Sequence, residues 1–173
     1  SAIGSGIGVG IVGSAASGVI SERSEKFGMA LVFTAIPQTQ AIYGLLIAIL
    51  ILQAGGFLGG TVSDIPTPAG LVAVAAGLAV GLAGFSAIGQ GIAAASGVAN
   101  AAEKPEMFGK GVVFSAVCET QAIYGLLIAV LMLALTGILS SDFSVEMPVA
   151  IGLIGAGLAV GLAGFSAIGQ GIA

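Results

Sequence analysis

Histidine and tryptophan are absent from these 173 residues, cysteine occurs once, and Lys and Arg together number four. Without imidazole there is no His-based catalytic pair and no usual transition-metal site, which disfavours soluble-enzyme chemistry. The lone Cys118 excludes an internal disulfide and reads as a small packing residue. Four basic residues make no patch for nucleic acid or another polyanion, so nucleic-acid partners are set aside, and no segment speaks for a nucleotide or an organic cofactor. The chain opens without Met, a basic n-region or a small-residue cleavage site, and reads as a fragment or a processed start rather than a signal peptide.

What is present is overwhelmingly apolar. A chain that is 57% hydrophobic and 7% charged lies outside the range of soluble domains and indicates an all-α integral membrane protein. Apolar runs predict helices at about 1–21, 27–54, 69–101, 106–137 and 148–173, each near or above the roughly 20 residues that cross a bilayer. The first and last look incomplete. Away from the tips, in the interior of these runs, Glu119 is the only carboxylate. An ionised group at mid-membrane depth costs roughly 2.5–3.5 kcal/mol on insertion scales, so such a residue is a functional candidate by default. The competing reading is a carboxyl kept neutral by burial and hydrogen-bonded for packing alone.

Internal repeats organise the chain. The run GLAVGLAGFSAIGQGIA at Gly77 to Ala93 recurs at Gly157 to Ala173, and QAIYGLLIA at Gln40 to Ala48 recurs at Gln121 to Ala129, a period of 80 to 81 residues. Each period holds two apolar segments, so the unit is a helical hairpin. Residues 1–60 form a first hairpin that lacks a carboxylate and its opening turns, since Ser1 aligns with Leu82. Residues 61–140 form a second hairpin with the carboxylate, and 141–173 hold the first helix of a third. The tips near 22–26 and 103–110 contain every basic residue, which places them in the cytoplasm by the positive-inside rule. The other connections, around Asp64 to Pro68 and Asp142 to Pro148, are acidic and proline-bearing. The first helix of each hairpin is studded with glycine and the second is bulky with Leu, Ile and Val. Small residues three and four apart let membrane helices approach closely, which predicts two layers with the Gly-rich helices inside. Glycine is also simply frequent in membrane helices, which is the plainer explanation.

The polar residues converge on one depth. Gln90 precedes Glu119 by 29 residues across the tip near residue 104, so the antiparallel helices bring the two together. The matched stretch of the first hairpin reads Ile36-Pro37-Gln38-Thr39-Gln40, with Gln38 in place of the acid and Val9 in place of Gln90, as an empty site would. Neutral oxygens around one carboxylate suit a hard cation, Na+ more than a bare H+. Pro37 removes an N–H within the second helix and frees the Phe33 carbonyl, a further oxygen for a cation. Thr39, Gln40, Thr120 and Gln121 alternatively only bridge helices by hydrogen bonds. Tyr43 and Tyr124 more commonly pack at such positions, with donation to the carboxylate also open.

The segments FSAVCETQAIYG at Phe114 to Gly125 and FSAIGQGIA at Phe85 to Ala93, with Gly-rich hairpins and basic tips, resemble the membrane rotor proteolipid (the c or K component) of archaeal A-type and V-type ATPases, over the whole chain. The resemblance implies a closed homo-oligomeric ring of hairpins in two layers, turning in lipid against a stator subunit (a or I) and joined to central-stalk subunits. Such a chain is a non-catalytic membrane subunit of an ATP-hydrolysing or ATP-synthesising complex. Carried over, the metal ligands are Glu119, Gln90, Thr39, Gln40 and the Ile36 carbonyl, with Glu119 as the ion carrier. A next site would use Gln170 with Val117, Thr120 and Gln121, its carboxylate lying beyond Ala173. The acid-free hairpin resembles duplicated vacuolar-type proteolipids and implies fewer ions per turn. A small repeat-built transporter or channel with a midplane cation site is the alternative.

Overall fold

The computed structural model describes residues 1–173, all helix and connection. Five helices are long and apolar enough to cross a membrane: α1 Ala2–Glu22, α2 Ser24–Ala54, α3 Thr67–Glu103, α4 Pro105–Leu135 and α5 Met147–Ile172. Their limits lie within a few residues of those read from hydropathy. Proline sets three of the starts, with Pro68, Pro105 and Pro148 in the first helical turn where a missing N–H costs nothing. The outer helices stop at repeat-matched glycines, Gly56 at φ +76° after α2 and Gly137 at φ +79° after α4, a left-handed conformation that closes a helix C-terminus.

Two layers form. The Gly-rich helices α1, α3 and α5 lie side by side, α1 against the second half of α3 and α5 along its opposite flank, while α2 and α4 pack outside them. The reason is steric. A Cβ on Gly91 would lie 2.6 Å from Gly8 Cα of α1, and one on Gly89 would lie 2.9 Å from the Ile168 nitrogen of α5, closer than real side chains come. The glycines on either side of Gln90 therefore clamp α3 between its two inner neighbours. Phe85 and Phe165, matched across the repeat, stack at 4.9 Å between α3 and α5.

Apolar packing separates into two clusters. One, around Ile47, Val72, Ala76, Leu133 and Ala150, occupies the end away from the tips. The other, around Val12, Phe33, Ala94 and Val98, lies toward the tips, where Phe33 meets Phe108 edge to face at 5.5 Å. Glu119 and its polar partners fall between them. At the tip end Arg23 donates from Nη1 to the Ala102 carbonyl at 2.6 Å, so the first hairpin's tip satisfies the C-terminal end of the next inner helix.

Candidate functional site

The helices are interrupted where the polar residues gather. In α2 the turn Ile36–Gln38 is 3-10, as Pro37 dictates. At the matched place in α4 the Glu119 N–H turns back to Ala116 at 3.0 Å, three residues away rather than four. In α3 the break falls at Gly84 and Phe85, where the Phe85 N–H reaches Leu82 at 3.0 Å, and α5 repeats it with Phe165 and Leu162 at 3.1 Å. These shifts bring backbone and side-chain oxygens to one level.

A chain of hydrogen bonds then ties three helices together. Gln40 of α2 donates from Nε2 to Gln90 Oε1 of α3 at 2.6 Å. Gln90 donates from its own Nε2 to Glu119 Oε2 of α4 at 3.3 Å. Tyr43 of α2 donates its phenol to Glu119 Oε1. Thr39 Oγ1 lies 3.2 Å from both the Ile36 carbonyl and Gln40 Oε1, which share its single O–H as acceptors. Gln40 and Gln90 are fully buried, and Cys118, beside the acid, is buried and free. All five ligands expected at this site thus gather in one connected set. Tyr43 joins them as a donor, the less common of the two roles open to it from sequence, whereas Tyr124 is exposed. Its four-residue spacing from Thr39 is the signal that places Tyr43 on the same face as the site.

The repeat-matched residues behave differently. Thr120 donates to the Val117 carbonyl at 2.9 Å, as Thr39 does to Ile36. Gln121 and Gln170 make no side-chain hydrogen bond to one another. Gln170 is exposed and borders a cavity of about 250 Å³ with Asn100, Lys110 and Phe114. Gln38 is exposed, and Val9 offers no polar atom. The site around Glu119 is the one assembled here. One carboxylate with neutral oxygens, and no cluster of three His, Cys, Asp or Glu, suits a monovalent ion better than a divalent one.

A two-layer set of membrane-competent hairpins with an amide-clasped carboxylate midway along its helices has the build of a membrane proteolipid. Comparison with known proteins agrees: residues 1–51 and 74–132 match the family model for the C subunit of ATP synthase. The A-type ATP synthase subunit K of Methanocaldococcus jannaschii is 53% identical over 170 residues, covering 98% of this chain and 70% of that protein. The V-type sodium ATPase subunit K of Enterococcus hirae is 42% identical over 133 residues, covering 76% of this chain and 81% of that protein. The 16 kDa proteolipid of a human V-type proton ATPase is 28% identical over 133 residues, covering 76% and 82%. The chain belongs to the ATP synthase C-subunit family, as a multi-pass membrane rotor subunit of the A/V-type that translocates ions.

Proposed function

We propose that this chain carries Na+ on Glu119, with Gln90, Gln40, Thr39 and the Ile36 carbonyl as the other ligands, in a ring whose hairpin tips face the cytoplasm. The single observation that carries this reading is the hydrogen-bond chain from Gln40 through Gln90 to Glu119, closed by Tyr43. Its logic is electrostatic. An unpaired carboxylate facing lipid is too costly to move, so the site must be nearly neutral before the ring turns. Gln90 and Tyr43 donate to the two carboxylate oxygens and hold them in fixed positions. Each amide also offers an oxygen, and together with Thr39 Oγ1 and the Ile36 carbonyl these replace the water that a hard cation gives up. Neutral ligands solvate the ion while the single acid cancels its charge.

In this reading the ion enters from one half-channel of a stator subunit, rides through lipid on Glu119, and leaves when a stator cation takes its place beside the carboxylate. Central-stalk subunits pass the rotation to the ATP-handling part of the complex, and membrane lipid seals the ring. The acid-free first hairpin lowers the ions carried per turn. At fixed ATP per turn that favours strong pumping, or synthesis only under a large gradient. The proton is the alternative cargo, since relatives of both kinds exist by name.

Carbodiimide labelling of Glu119 in purified membranes, followed against pH with and without sodium, tests this reading. The reagent attacks the protonated carboxyl, so sodium that occupies the site should protect it. Labelling that ignores sodium assigns the carrier to protons, and no labelling at any pH removes Glu119 as the carrier.

A further inference from the structure

Two hydroxyls are buried without any hydrogen-bond partner, Ser5 Oγ and Ser86 Oγ, and they occupy matched places in the repeat. Ser86 is fully buried. A buried hydroxyl left unpaired costs about 1–3 kcal/mol, so buried polar groups in native proteins are almost always satisfied. The usual outlet for a helical serine is a carbonyl of its own preceding turn, and Ser86 does not use it.

Its position is specific. Ser86 precedes Gln90 by four residues, on the same face of α3, and that face points at Gln40 and Glu119. The register of α3 against α4 sharpens this. Ala83 meets Gly125 and Gln90 meets Glu119, which sets Ser86 opposite the small, buried Ala122, three residues along α4 from the acid. The helix break lies here too. The Ala87 N–H donates to Gly84 at 3.3 Å, so the Ala83 carbonyl, three residues before Ser86, loses its regular donor. Four residues of helix rise about 6 Å, and one water with two bonds spans about that distance.

We infer that Ser86 belongs to the ion site: its hydroxyl, with the Ala83 carbonyl, holds one water that reaches Glu119 and its bound ion from the side away from the tips. Ser86 is thus a positioning residue for a water ligand. The water gains the two or more polar partners that a buried water needs, and Ser86 is satisfied. Ser5, in the hairpin where Val9 and Gln38 replace the amide and the acid, has no carboxylate to serve. This inference rests on the cation reading of the Glu119 site, but its physical core, a water at Ser86, does not depend on which ion is carried.

Two measurements on the assembled protein in membranes test it. Water-edited solid-state NMR reads magnetisation passing from water protons to the Ser86 side chain. Transfer is expected, and its absence overturns the proposal whatever the ion. Carbodiimide labelling then reads the sodium concentration for half protection of Glu119. Ser86→Ala and Ser86→Cys should each raise it roughly three- to tenfold, the effect of losing one water-mediated bond. Ser86→Thr should restore it, and Ser5→Ala should leave it at the wild-type value. An unchanged value in both Ser86→Ala and Ser86→Cys, or an equal rise in Ser5→Ala, overturns the proposal. Wild-type labelling indifferent to sodium defeats the sodium reading instead, and the NMR result alone then decides whether the water is held.

Discussion

Glu119→Gln is expected to fold and assemble, because the first hairpin already accepts Gln38 at the matched position, yet to lose carbodiimide labelling and ATP-driven ion uptake in proteoliposomes. Retained uptake would show that another group carries the ion. Tyr43→Phe removes one of the two donors on the carboxylate. A hydrogen bond to a charged group contributes about 1.5–3 kcal/mol, so half protection by sodium should need roughly tenfold more of the ion, or above, without loss of fold. Unchanged protection would leave the phenol outside the site. Glu119, Gln90 and the TQ pair were legible in the sequence because a carboxylate and amides stand out against an apolar background. The phenol was legible only as far as its face: spacing put Tyr43 beside the site with packing and donation both open, and the three-helix register decides for donation. Ser86 was silent: serine hydroxyls in helices usually bond their own backbone, and the break at Gly84 and Phe85 that changes this leaves no mark in hydropathy.

Helix number, limits and antiparallel pairing followed from apolar runs and the repeat, since both are properties of the chain's local composition. The closeness of the inner helices followed too, from small residues three and four apart, but not which glycines meet a backbone, because spacing alone does not set the register between helices. Gly91→Val should therefore destabilise strongly, by about 3 kcal/mol, since Gly8 and Gly91 meet backbone to backbone with no flexible side chain to yield. Gly28→Ala, at a site with nothing within 4 Å, should be neutral or slightly stabilising through helix propensity. Thermal unfolding in detergent checks both, and equal effects would refute the clamp. The tip contact predicts a smaller loss: Arg23→Ala should cost about 1 kcal/mol through the bond to the Ala102 carbonyl. In the connection after α4, the Ser144 hydroxyl first, and its N–H beside it, hold the Asp142 carboxyl below its ordinary pKa. A lowered native value means the turn is favoured above the usual carboxylate pKa and loosens as pH falls through the native one.

Across the whole molecule, one carboxylate lies in the interior of the apolar helices of residues 1–140, the others standing in the connections and at helix ends. Mass spectrometry of the carbodiimide-treated segment should find one adduct, at Glu119. A second adduct within the apolar helices of the first hairpin, away from Glu22 and Glu25 at its tip, would contradict the assignment of an acid-free repeat. The pairing of α1 with α3, and of α3 with α5, is one contact made twice within a single polypeptide. Folding has therefore already performed the step by which a ring adds its next hairpin, and the linker makes the first such step intramolecular. A repeated head-to-tail step of this kind closes when its rotation divides a full circle. The angle is set where backbones touch, at Gly8 with Gly91 and at Gly89 with Ala167. A methyl group added there would open the wedge between neighbours and change how many hairpins complete the circle. The transmission ratio of the motor, ions moved per ATP, thus depends on contacts that never meet an ion.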